Sequence, residues 1–140
     1  MIIEVCGRKK AVELAGRAEV KTAIISIVSK DDENIVFPEN PNIQSVLYLK
    51  FNDLTDEYDE EGIPYGRPLP QPEDFAGLKE FVEGLTCEHL IVHCWEGKSR
   101  SAAAAKAIWK FRGGTDQLRM RADTEPNPLV YDLTCRELGL

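Results

Sequence analysis

Short apolar runs alternate with amphipathic stretches along most of the chain. Ile2 to Val5 reads as a short buried strand, and Lys9 to Ala18 as a brief helix. Thr22 to Val28 is rich in β-branched residues and stops at the polar run Ser29 to Asn34, which predicts a second strand. Ser45 to Phe51 predicts a third. Asn52 to Gln71 is acidic at first and then rich in Pro and Gly, a long loop of the kind that often carries function. Pro72 opens a helix with Phe75, Leu78, Val82 and Leu85 on one face. His89 to His93 is a continuous apolar run, as expected of a strand buried on both faces.

Ser99 to Phe111 then predicts a helix closed by Gly113-Gly114, and residues 115 to 122 a further helical turn. After Pro126-Asn127-Pro128 a last helix carries Leu129, Leu133 and Leu138. Strands alternating with helices, without repeat or linker, predict one α/β domain over residues 1–140. Its expected centre is a mainly parallel sheet flanked by helices. The unit at 89–111 places a loop at the carboxyl end of a strand, where open α/β sheets bind ligands.

Composition narrows the function. The 140 residues carry a net charge of −7, which disfavours non-specific binding to nucleic acid or anionic lipid. No apolar run approaches the roughly 20 residues a membrane-spanning helix needs. The stretch Met1 to Val5 lacks a basic n-region, so a cytoplasmic protein without membrane or nucleic-acid partners is expected. Four cysteines occur without a CxxC pair, and Cys87 and Cys94 flank a strand. Free thiols, rather than disulfides or a thiolate metal site, are the expectation. His89 and His93 would lie roughly 13 Å apart along a strand, too far to share a metal.

The candidate chemistry is concentrated in Cys94-Trp-Glu-Gly-Lys-Ser-Arg-Ser101. A tight loop between a buried strand and a helix N-terminus aims backbone N–H groups inward and adds the positive end of the helix dipole. A phosphate dianion matches that field, and so does a thiolate at Cys94. Gly97 lets the backbone turn where a Cβ would clash. Arg100 can grip two phosphate oxygens with its planar fork.

His93-Cys94, five further residues and Arg100-Ser101 resemble the active-site signature of the protein tyrosine phosphatases, most closely their dual-specificity branch. The resemblance implies hydrolysis of a phosphomonoester through a phosphocysteine intermediate, on a phosphorylated protein or another phosphomonoester. Cys94 would be the nucleophile, Arg100 the phosphate clamp, and Ser101 the hydroxyl that helps the thiolate depart. His93 would orient the loop and support the thiolate. The loop residues Trp95, Glu96, Gly97, Lys98 and Ser99 would surround the substrate. No cofactor or metal is expected, since the loop and Arg100 supply the charge.

The resemblance also calls for an aspartate acid on an upstream loop. Asp53, just after the third strand, is the first candidate, with Asp56 and Asp59 as rivals. Asp53 stands farther from Cys94 than the family spacing implies, and the surplus can be placed between Gly62 and Pro70. Two other functions stay open: a pseudophosphatase that holds phosphate without turnover, and a phosphatase of lipids or inositol phosphates. For single residues the plainer readings compete. Trp95 is either a rim residue near substrate or a core aromatic. Lys98 and the run Asp56 to Glu61 read as solvated surface. Cys6, Cys87 and Cys135 read as inert thiols, and Trp109 and Phe111 as packing residues.

Overall fold

All four apolar runs read as strands do pair, and every pairing is parallel. In the computed structural model, which describes residues 1–140, they are β1 (Ile2–Gly7), β2 (Thr22–Val28), β3 (Ile43–Lys50) and β4 (His89–Cys94). A fifth, β5 (Gln117–Arg119), completes a sheet of order β3-β2-β4-β1-β5. The two runs without polar alternation, β2 and β4, lie inside the sheet and are buried almost throughout. β3 is at an edge and is mostly half-buried or exposed.

Helices cover both faces, as a parallel sheet requires. On one face α1 (Arg8–Arg17) buries Ala11 and Ala15 against Cys6, Ile24 and Ile91. The larger core lies on the other face, under α2 (Leu78–Glu83), α3 (Arg100–Phe111) and α4 (Pro128–Leu138). α3 is packed between the sheet and α4, which explains its small residues: Ala102 to Ala105 are all fully buried. Because the strands are parallel, the ends of β1, β2, β3 and β4 meet at one edge of the sheet. Gly7 pairs with Cys94 there, and Ser26 near the end of β2 pairs with His93.

Two expected elements differ. Residues 115 to 122 contain no helical turn. Gly113 and Gly114 both take positive φ and reverse the chain, and β5 then pairs with Ile2–Glu4 at the sheet edge. Its three residues bury only Leu118 in part, too short an alternation to read as a strand. The helix from Pro72 is also broken. Pro72–Phe75 forms a 3-10 turn, and Gly77 at φ 88° separates it from α2.

Candidate active site

β4 delivers Cys94 to the carboxyl edge of the sheet, and α3 begins six residues later at Arg100. The loop between them is fixed against β1. Gly97 takes φ 73°, and a Cβ there would meet the Cys6 carbonyl carbon at 2.3 Å and the Gly7 nitrogen at 2.5 Å. Both are backbone atoms that cannot swing aside, so only glycine lets the loop close on β1. The Arg8 amide adds a bond to the Trp95 carbonyl at 3.2 Å.

His93 supports this loop from below. A carbonyl can only accept, so the Nδ1–H of His93 donates to the Cys94 carbonyl at 3.0 Å. Its Nε2 then accepts from the Ser26 hydroxyl at 2.6 Å, which defines a neutral ring. Burial holds the imidazole pKa below its ordinary value, and the charges of Arg100 and Arg8 act in the same direction. His93 is thus an uncharged brace under the loop. His89 bonds Glu4 instead, so the two histidines do not converge.

Cys94 is only 3% exposed. Burial by itself would raise its pKa. The Ser101 hydroxyl and amide, the Arg100 charge and the Gly97 amide outweigh burial and bring the pKa below the ordinary thiol value. The Ser101 hydroxyl lies 3.0 Å from Sγ and donates to it when the sulfur is a thiolate. Two other thiols move the opposite way. Burial and Glu4 push Cys6 up to about 12, and burial raises Cys87. All four cysteines are free.

Arg100 is 94% buried at 6% exposure, and its guanidinium is aimed by the neighbouring strands. Nη1 donates to the Phe51 carbonyl at 3.0 Å and to the Ser29 hydroxyl at 3.1 Å. Nε is buried and has no partner in the protein. An unsatisfied buried donor costs about 1–3 kcal/mol, which an oxyanion held by the loop would relieve. Arginine's fork geometry suits that anion.

Asp53 lines the same cleft, about 480 Å³ in volume, as Cys94, Arg100, Lys98 and Ser99. One carboxylate oxygen, Oδ1, accepts from the Ser99 hydroxyl at 2.8 Å and from the Asn127 amide at 2.9 Å. No protein group bonds the other oxygen. Asp56 and Asp59 are absent from this cleft. Asp56 caps the next amide, and Asp59 accepts from Glu61 and Ile63 to shape a hairpin closed by the Tyr58–Pro64 bridge. After Asp53 the long loop thus folds back on itself as a hairpin.

Of the remaining loop residues, Trp95 is exposed and lies against Arg8, not in the core. The Glu96 carbonyl accepts from Arg121, and Lys98 is half-buried with its carbonyl bonded to the Glu125 amide. Trp109 is a packing residue, its Nε1–H donating to the Asp116 carbonyl at 2.8 Å.

Sequence reasoning missed Ser26 and Ser29, Arg67, which lines the cleft, and, above all, Asn127. Asn127 caps α4 by accepting from the Val130 amide at 3.0 Å while its own amide holds Asp53 and the Leu54 carbonyl. The Pro-Asn-Pro signal marks a helix start, and nothing local in it announces the second task. No cluster of three or more His, Cys, Asp or Glu side chains is placed to hold a metal ion, and no helix is long and apolar enough to cross a membrane.

The crystal structure of human DUSP28 superposes on this chain with a TM-score of 0.51, covering 97% of this chain and 91% of that one. This chain has the dual-specificity phosphatase fold. Sequence identity between the two is 18%, so the likeness is one of architecture. No family profile and no curated protein matches the chain.

Proposed function

We propose that the protein hydrolyses phosphomonoesters, with phosphorylated proteins as the substrate class, through a phosphocysteine at Cys94. The observation that carries the reading is the pairing of a pKa-lowered, Ser101-bonded thiol with a buried Arg100 whose Nε lacks a partner. The phosphoryl oxygens would take the loop amides and the Arg100 fork. The Cys94 thiolate attacks phosphorus as the P–O bond to the leaving group breaks. Asp53, through its free carboxyl oxygen, gives the leaving oxygen its proton, a contribution typically worth about 10²–10⁴ in rate.

In the second half-reaction the P–S bond breaks as water attacks phosphorus. The Asp53 carboxylate accepts the proton from that water, and the Ser101 hydroxyl donates to the departing thiolate. Inorganic phosphate is released and both groups return to their starting states. His93 takes no proton in this scheme; it holds the loop.

Rapid-quench labelling tests the reading. A substrate carrying radioactive phosphorus should leave label on Cys94, with a burst of alcohol product equal to the enzyme concentration. Phosphate binding without burst or label would identify a binding module instead.

A further inference from the structure

The two tryptophans are used in opposite ways. Trp109 is half-buried, bonds the Asp116 carbonyl through Nε1, and covers Gly114 so closely that an added Cβ there would meet its ring at 3.4 Å. Trp95 makes no side-chain hydrogen bond within the chain and is 55% exposed. The Arg8 guanidinium lies over it, with Cζ 3.9 Å from the ring centroid. The backbone beneath is tied as well, through the Arg8 amide and the Trp95 carbonyl. The fold gains little from this indole, yet keeps it in one orientation beside the nucleophile.

Trp95 lines both spaces that reach Cys94. One is the cleft shared with Asp53, Lys98 and Arg100. The other is a narrow chamber with Ile35, His93 and Arg8. Trp95 thus borders the space into which the ester group of a phosphoryl substrate seated in the loop would extend. In an aryl phosphate the ester oxygen bears an aromatic ring directly, whereas in an alkyl phosphate it bears only a flexible carbon. An indole already held by a cation loses little rotamer freedom when a second ring stacks on it, which favours the pairing.

We propose that Trp95, braced by Arg8, is a stacking platform for the ring of aryl phosphates such as phosphotyrosine and sets a preference for them over alkyl phosphates. The proposal rests on the phosphatase reading and adds the specificity-determining residue. Aromatic pairs of this kind correspond to about a 3- to 10-fold effect.

The test uses two peptides that differ only in phosphotyrosine against phosphothreonine. Their kcat/KM values are measured on the unaltered protein, Trp95→Ala, Trp95→Phe and Arg8→Ala. Trp95→Ala should lower the phosphotyrosine-to-phosphothreonine ratio by about 3- to 10-fold, Trp95→Phe should restore most of it, and Arg8→Ala should lose part. Calorimetric affinities of both peptides for Cys94→Ser, with and without Trp95→Ala, give the same comparison without turnover. An unchanged ratio in both measurements overturns the platform while leaving the phosphatase reading intact. Failure of both peptides to bind or turn over overturns both.

Discussion

From Cys94 to Ser101 only Trp95 and Glu96 are exposed, while from Asp53 to Arg67 every residue is exposed except Leu54 and Asp59, which are half-buried. The two segments face each other across one cleft and are held by different means. The phosphate loop is fixed from all sides: by β1 against Gly97, by His93 beneath, and by the Phe51 carbonyl on Arg100. The segment bearing Asp53 is tied down only at its start, where Ser99 and Asn127 bond one Asp53 carboxylate oxygen and Asn127 also bonds the Leu54 carbonyl. Anion binding and thiolate stabilisation need donors in place before the reaction. Proton delivery to a departing oxygen tolerates, and can exploit, a segment that closes on substrate.

The largest effect should come from the loop itself. Cys94→Ser should keep the fold and bind phosphate while turnover drops by about 10⁴–10⁶, because a serine hydroxyl stays protonated in a field that ionises a thiol. Residual burst kinetics in that variant would remove Cys94 from its role. Arg100→Lys keeps the charge but loses the fork, and a loss of about 10²–10³ in kcat/KM is expected on every substrate.

The opposite wall should respond selectively. Asp53→Asn is expected to lower turnover of phosphoserine peptides by about 10²–10⁴, and to spare substrates whose leaving groups depart readily as anions. A uniform loss, or the same selectivity in Asp56→Asn or Asp59→Asn, would move the acid farther along the chain.

Smaller still, and more diagnostic, is Asn127→Asp. The new carboxylate can still accept from the Val130 amide and cap α4, but it has no N–H for Asp53. Thermal stability should fall as well, because the new carboxylate faces the Asp53 carboxylate and the Leu54 carbonyl, and Asn127→Ala should cost about 1 kcal/mol through the lost cap. Both variants should lose about 10-fold in turnover with the leaving-group selectivity of Asp53→Asn, a modest share of what general acid help supplies. Equal activity in all three proteins would mean that the tether positions nothing.

The same contrast governs what the sequence could show. Strand β4, the loop and the start of α3 are contiguous, and their character follows from local facts: an apolar run, a glycine and a helix start. The separation of Cys87 from Cys94 was legible too, because a strand lies between them. The position of Asp53 depends on Asn127, 74 residues away, and no local pattern encodes that bond. The hairpin after Asp53 was visible only as a Gly- and Pro-rich surplus. β5 was missed because three residues at a sheet edge carry too little periodicity, and the break at Gly77 because Phe75 and Leu78 keep helical spacing across it.

The contact of Gly97 with the Cys6–Gly7 backbone has a consequence for the time course of folding. Of the five strands of this sheet β1 is synthesised before the others, yet its neighbours are β4 and β5, which follow more than eighty residues later. Such distant pairings make folding slow, because long loops must close before any contact rewards them. The wall that shapes the nucleophile's loop is thus an early-made strand waiting for late-made partners. In refolding, helical signal should return first, and reactivity of the Cys94 thiol should return only in the final phase, when β1 enters between its neighbours.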